Sequence, residues 1–359
     1  MKESHLQFLR CPVSRKELKL QTINTKRKKF NTEEVLIISD GILHSPNGWF
    51  YPVINGVPRL LVEAFLDYEN FLIQNFPEYQ EKRAFLIENY GGLIRYALKK
   101  NQRTKQSFSQ EWGLFDYAED KTWDADPAAM LERFYKETAE TSQSIVGKTI
   151  LDAGCGNGLL DMLLAEQSAF VIAMDLSLSV EKAFERNQSP NVLFLQGDFQ
   201  NPPVPFHSFD IVQCSGVLHH SNNTELSFSC MVPCVKHTGK LSVWLYHPRK
   251  DFVHNMINSI RVFSSKLPLT FQYYLYGVTL LPISYLFKRA KGNKQNIREM
   301  MIDILDWFSP QFRWEHTIAE AESWFIKHQF KAVSVTTSNA FGFNMLGQKT
   351  PEDISLCRK

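Results

Sequence analysis

The chain has 359 residues, 44% of them apolar, and a formal net charge of +2. That length exceeds one typical domain, so one large and one small unit are expected, with ample apolar side chain to bury. Six cysteines without a paired spacing exclude a disulfide framework, and the absence of a secretory pattern predicts a reducing, cytoplasmic setting. No long single-sign tail is present, so charge neither selects nor rejects a nucleic-acid partner.

The first sixty residues read as a small β-rich unit. Cys11-Pro12-Val13-Ser14 is followed by the basic run Lys26-Arg27-Lys28-Lys29, expected in a solvated turn, and then by Trp49-Phe50-Tyr51-Pro52-Val53-Ile54-Asn55-Gly56-Val57-Pro58. Residues 62–140 read as helical, with a single glycine pair at Gly91-Gly92. Within them Phe108, Trp112 and Phe115, spaced four and three apart, form one hydrophobic helix face.

The next segment carries the chemistry. An apolar strand, Thr149-Ile150-Leu151, runs into Asp152-Ala153-Gly154-Cys155-Gly156-Asn157-Gly158, and Leu159 to Gln167 reads as a helix. Glycines between a strand and a helix let the backbone approach a ligand, and the helix start offers free N–H groups. The second strand, Phe170 to Met174, ends on Asp175, where a carboxylate can accept both hydroxyls of a ribose. A third, Val192 to Gln196, ends in Gly197-Asp198-Phe199; a fourth, Phe209 to Cys214, enters Ser215-Gly216-Val217-Leu218-His219-His220; a fifth spans Lys240 to Tyr246. Ile318 to His328 reads as a helix, and Lys331 to Thr336 with Phe341 to Gln348 as a closing antiparallel pair.

This ordered set, over residues 149–246, resembles the class I S-adenosylmethionine-dependent methyltransferases. The glycine spacing differs from the Gly-x-Gly-x-x-Gly of dinucleotide dehydrogenases. The resemblance implies a Rossmann-like α/β fold with a seven-stranded sheet and S-adenosylmethionine as cofactor. It implies that Asp152 orients the glycine turn, that Gly154, Gly156 and Gly158 leave room for the amino-acid portion with Cys155 among the cofactor contacts, and that Asp175 holds the ribose with Leu176 against the adenine. Asp198, Phe199 and Ser215 complete the expected cofactor contacts, though Phe199 reads equally as core. Methyl transfer to oxygen or nitrogen needs alignment and a base matched to neutral pH, so His219, His220 and His247 at the carboxyl edge are candidates. Asn222 and Asn223 stand where an Asp commonly follows such a His pair, which removes a local carboxylate for orienting the imidazole.

Three further segments carry resemblances. Residues 1–62 resemble the Trm112-like zinc-ribbon module, but its four ligand positions read Cys11, Ser14, His44 and Asn47. A closed structural zinc site needs four thiolate or imidazole ligands, so a degenerate, metal-free module held by its aromatic residues is expected. Ser107 to Phe115 resembles a segment that leads into the sheet in methyltransferases of sugar, natural-product and envelope pathways, which implies a lid over the cofactor within a helical stretch, 63–140. Asp306 to Thr317 resembles a second segment of that group and adds Asp306, Arg313 and His316 to the possible substrate-site residues. His316-Thr317 also reads as a helix start, with Thr317 as N-cap and Glu320 completing a capping box.

The methyltransferase domain is expected over 141–350, with a helical insertion at about 250–316. Inside it Leu267 to Phe287 carries no charge, a length that suits a membrane span, but Pro268, Gln272 and Pro282 favour buried lid helices broken at Pro282. The alternative is peripheral membrane contact through the same residues. The leading reading is a methyltransferase acting on a small molecule or glycan, at oxygen or nitrogen. A tRNA or protein methyltransferase and a catalytically inactive adaptor are the alternatives, the first lacking a basic aromatic surface and the second opposed by the intact glycine loop.

Overall fold

The computed structural model describes residues 1–121, 125–249 and 252–350. Four strands come first: β1 (Lys19–Lys29), β2 (Glu34–His44), β3 (Phe50–Ile54) and β4 (Val57–Leu60). Helices α1 (Ala64–Asp67), α2 (Glu69–Asn75), α3 (Tyr79–Leu114) and α4 (Pro127–Thr138) follow. An alternating stretch comes next: β5 (Thr149–Ala153), α5 (Leu159–Glu166), β6 (Phe170–Asp175), α6 (Ser179–Arg186), β7 (Val192–Gly197), β8 (Phe209–Ser215), α7 (Thr224–Met231) and β9 (Val235–Tyr246). The chain closes with α8 (Phe252–Ser264), α9 (Leu269–Val278), α10 (Leu280–Ala290), α11 (Ile297–Phe308), α12 (Ile318–Lys327), β10 (Ala332–Ser338) and β11 (Gly342–Gln348).

All eleven strands join one sheet in the order β1-β2-β3-β4-β7-β6-β5-β8-β9-β11-β10. From β4 through β9 neighbours run parallel; the remaining pairs are antiparallel. Strands covered on both faces read as continuous apolar runs, and β6 and β7 are buried along nearly their whole length. The strand order reverses between β5 and β8, which opens the ligand-binding crevice of such sheets at their carboxyl ends.

The N-terminal strands extend this sheet, because β4 pairs with β7 at Arg59↔Gln196 and Leu60↔Gly197. Their core is aromatic: Trp49, Phe50, Tyr51, Phe65, Phe76 and Tyr79 are all buried. At roughly 2 kcal/mol per buried aromatic side chain, these six approach the ~10–16 kcal/mol of a structural zinc site. Three of the four ligand positions bond to other side chains. The Cys11 thiol contacts the Tyr51 hydroxyl at 3.2 Å, Ser14 shares a hydrogen bond with Ser45 at 3.0 Å, and His44 bonds Gln21 at 2.9 Å.

Two local expectations need correction here. The basic run lies in β1 rather than in the turn after it, where lysines on an exposed edge discourage pairing with another sheet. The helices of 267–287 break at Thr279, not Pro282, because Pro282 sits in the first turn of α10, where its missing N–H has no intrahelical partner to lose. Nor are they wholly buried. Tyr276 packs inward on Met301, Ile304 and Leu305 of α11, but α10 buries no residue fully.

The long helix α3 crosses the carboxyl edge of the sheet and bends at Tyr90, just before Gly91, where the backbone leaves helical geometry. Its second half buries Lys100, Asn101, Thr104, Ser107 and Glu111. Polar side chains in that number along a buried helix face indicate that it covers a polar site.

Candidate active site

The turn after β5 places its backbone where side chains would collide. Gly154 has φ +97°, and a Cβ there would lie 2.2 Å from Val217 Cγ1. Gly156 has φ +54°, and a Cβ there would meet the Trp112 ring at 2.8 Å. Only glycine takes this conformation without strain while leaving that space. Trp112 therefore lies directly on the glycine turn, and the Ser109 hydroxyl accepts the Leu178 N–H at 3.0 Å, so residues 107–115 reach both the first and second strand ends.

Asp175 terminates β6 and accepts the backbone N–H groups of Gly156 (3.0 Å) and Ser177 (2.8 Å). Burial pushes its carboxyl up, and those N–H groups oppose the shift. Asp152, buried in β5, is pushed up to about 7, first by burial and then by the charge of Asp175. Leu176 packs against the core while its carbonyl accepts from Gln196. Burial also raises the Cys155 thiol far above its ordinary range, which leaves it protonated and unreactive.

Asp198 is already engaged. Lys100 of α3 donates to it within a buried ion pair, and Lys100 also donates to Gln200 at 3.1 Å. Phe199 is partly buried against the main core. Ser215 donates to Glu137 at 3.1 Å and accepts from Arg133 at 3.2 Å, tying the end of β8 to α4.

The four histidines separate into two pairs. His219 and His220 are buried together, with ring centroids 4.4 Å apart. The Tyr246 ring lies 4.3 Å from His219, and Phe108 of α3 meets His220 edge-on at 5.2 Å. His220 Nδ1 lies 2.9 Å from the Phe312 carbonyl; because a carbonyl only accepts, Nδ1 carries the proton and Nε2 presents a lone pair. That Nε2 has no hydrogen-bond partner and sits 3.8 Å from Asp306. Burial drives the His220 pKa down to about 3, so the ring is neutral. Burial also pushes Asp306 up to about 7, even though the Tyr246 hydroxyl donates to it at 3.1 Å. The Phe312 carbonyl, not a carboxylate, thus orients the ring, while Asp306 of α11 approaches Nε2 without a hydrogen bond.

His247 and His316 are engaged elsewhere. His247 Nε2 donates to the Asn339 carbonyl at 3.1 Å, at the β10–β11 turn. His316 Nε2 bonds Thr224 and Nδ1 bonds Glu320, both at 2.9 Å. Thr317 caps α12 by accepting the Glu320 N–H, but the Glu320 carboxylate turns to His316, so only half of the expected capping box forms. Arg313 donates to Glu315 at 2.7 Å and lies between the rings of Tyr246 and Trp307, 4.0 and 4.3 Å from their centroids, so its charge is already matched.

The structure adds Glu111 and Asp161 to the predicted residues. Both are buried and burial raises both well above the carboxylate range; neither Glu111 oxygen has a hydrogen-bond partner, whereas Asp161 shares a hydrogen bond with Asp152. Glu111 feels Asp306 and Asp175, while Asp161 feels Asp152 and Asp175. Glu111 lies inside the Ser107–Phe115 segment that the sequence singles out; Asp161, one turn into α5, carries no distinguishing signal.

Buried carboxylates in excess of cations raise one another's pKa and destabilise the ionised site, which a cationic ligand relieves. S-adenosylmethionine carries a sulfonium and an ammonium against one carboxylate, so the donor set around the glycine turn fits it. The same excess makes a pH prediction. Asp152 is held above its unfolded pKa, so its contribution to stability is full below about pH 4 and is lost as pH rises through 7. Asp152→Asn is expected to stabilise the cofactor-free chain by about 1–3 kcal/mol at pH 8 and by little at pH 4, in urea titrations at both pH values.

Residues 151–243 match the methyltransferase domain family. That segment is a methyltransferase domain, of the class whose cofactor is S-adenosylmethionine. The chain is 27% identical over 169 residues to the mitochondrial ubiquinone biosynthesis O-methyltransferase of Schizosaccharomyces pombe, covering 43% of this chain and 61% of that protein. It is 30% identical over 105 residues to the ubiquinone biosynthesis O-methyltransferase of Coxiella burnetii, covering 28% of this chain and 45% of the relative. It therefore spans less than two thirds of these relatives' length. Among solved structures, the magnesium protoporphyrin IX methyltransferase of Synechocystis PCC 6803 with bound SAH aligns at a TM-score of 0.43 and 14% identity, over 70% of this chain and 98% of that one.

Proposed function

We propose that the whole chain is an S-adenosylmethionine-dependent methyltransferase acting on the oxygen or nitrogen of a small-molecule or glycan acceptor. The observation that carries this reading is the set of mutually repelling buried carboxylates, Asp152, Asp175 and Glu111, linked through Asp306 to a neutral His220 with an unbonded Nε2. β5 to β11 serve as a seven-stranded class I methyltransferase sheet, and residues 1–62 as a degenerate Trm112-like module fused to it through β4. A cytoplasmic location belongs to the same reading and agrees with five free cysteines among the described residues.

S-adenosylmethionine, when bound, supplies an electrophilic methyl group. Asp175 would hold the ribose hydroxyls, and Asp152 with Glu111 would face the positive groups. Gly154 and Gly156 let Val217 and Trp112 pack directly on the turn, so Trp112 would lie against a bound cofactor. His220 Nε2 would take the acceptor's proton once bound substrates lift its pKa from the value of about 3 set by burial, with an ionised Asp306 beside it to stabilise the imidazolium. His219 and Tyr246 would fix the ring. His220→Ala is expected to lower kcat about 100-fold or more while leaving the cofactor Kd nearly unchanged. Radiolabelled methyl transfer into small-molecule and glycan extracts reads the first, and calorimetry the second.

Two observations favour the non-catalytic adaptor instead: Lys100 occupies Asp198, and Trp112 covers the turn. Calorimetry with S-adenosylmethionine decides between them. Micromolar binding supports the enzyme, and folded protein without binding supports the adaptor.

A further inference from the structure

Helices α9 and α10 are apolar on both faces. Their inner faces pack with α11, where Tyr273, Tyr276, Leu280 and Leu281 join one cluster. Their outer faces have no cover: Phe271, Tyr274 and Val278 fall on one side of α9, and Leu286 and Phe287 on α10, with Phe263 of α8 adjoining in sequence. Val278 is 76% exposed, Phe263 74% and Leu286 70%. Single exposed apolar residues are ordinary, but a repeated outward set on consecutive helices marks an interaction surface.

Charge identifies what covers it. From residue 252 to residue 297 the chain contains no Asp or Glu, and six bases: Arg261, Lys266, Lys288, Arg289, Lys291 and Lys294. Lys266, Arg289, Lys291 and Lys294 are exposed. Arg289 lies over the Tyr285 ring and Lys291 over Phe287, so the cations border the apolar face. A second copy seated face to face would set bases against bases with no carboxylate from this segment to match them. An anionic bilayer matches both properties, taking the apolar side chains into the acyl boundary and the bases at the headgroups. Among the described residues no helix is long and apolar enough to cross a membrane, so contact is with the surface.

We propose that α9 and α10, with the end of α8, form a docking face for an anionic lipid bilayer. Docking stands apart from the catalytic reading. One consequence rests on that reading: because α11 carries both Asp306 and the inner contacts of α9 and α10, the acceptor would be lipid-linked and reach the site from the bilayer.

Flotation of the full chain with phosphatidylcholine vesicles, with and without phosphatidylglycerol, tests the docking. The wild type should float with the anionic vesicles and be released by salt. Phe271→Ser/Leu286→Ser and Lys291→Glu/Lys294→Glu should each weaken association at least about tenfold with unchanged thermal unfolding. The proposal fails if the wild type ignores anionic vesicles or if the variants bind equally. It also fails if Phe271→Ser/Leu286→Ser dissolves a dimer seen by sedimentation. Because vesicle binding is read without cofactor, loss of S-adenosylmethionine binding alongside retained flotation would sink the catalytic reading and leave the docking standing.

Discussion

Asp175→Ala should weaken S-adenosylmethionine binding at least about 100-fold, close to 3 kcal/mol, in calorimetry of the otherwise folded chain. Two effects combine in that number. The carboxylate fixes the glycine turn by accepting the Gly156 N–H, and it fixes the following turn through the Ser177 N–H. Removing it therefore leaves two buried donors unpaired and deletes the acceptor proposed for the ribose, and an unsatisfied buried donor costs about 1–3 kcal/mol. Asp175→Asn separates the contributions: its side-chain oxygen can still accept one N–H, so folding should suffer less than in the alanine variant while binding is still lost. Undiminished binding in both variants would place the cofactor elsewhere.

The second large effect concerns the lid. Lys100→Met should cost about 3–5 kcal/mol of folding stability in urea titrations, because it strips a buried ion pair of its cation. Asp198 would keep the N–H of Gln200 (2.9 Å) and a contact with Asn201 Nδ2 (3.3 Å), which hold it in its turn but supply no charge. Lys100→Met/Asp198→Asn should recover much of the loss, since the double variant buries no unpaired charge. Additive losses in the double variant would show that the two side chains are not coupled. The pair also sets a condition for binding. Asp198 accepts from Lys100 here, so an adenine amino group would have to share that carboxylate or displace the lysine.

Much of the centre of this molecule is legible in the amino-acid order. Strand runs such as Phe170 to Met174 are apolar throughout because both faces are covered, and each ends at a turn with its own chemistry. Gly154, Gly156, Asp152 and Asp175 are neighbours through local geometry: a strand end, a turn and the adjacent parallel strand. The Thr317 N-cap is legible for the same reason, since cap and N–H lie three residues apart.

What lies far apart in the chain was decided by the tertiary structure. Asp306 reaches His220 from 86 positions away, and Lys100 reaches Asp198 across 98, by helices whose placement follows from packing rather than from any local motif. The residues beside His220 in the chain hold no carboxylate, so Asp306 is not legible as its neighbour from local order. The open outer faces of α9 and α10 are illegible for a related reason: an uncharged run of 21 residues shows that its helices are apolar but not which side finds a partner. Local order thus determined the sheet, its glycine turn and the acids at its strand ends. Three-dimensional packing alone decided that both histidines of the pair are buried with an unbonded Nε2, which carboxylates are buried without a cation, and which apolar face stays open.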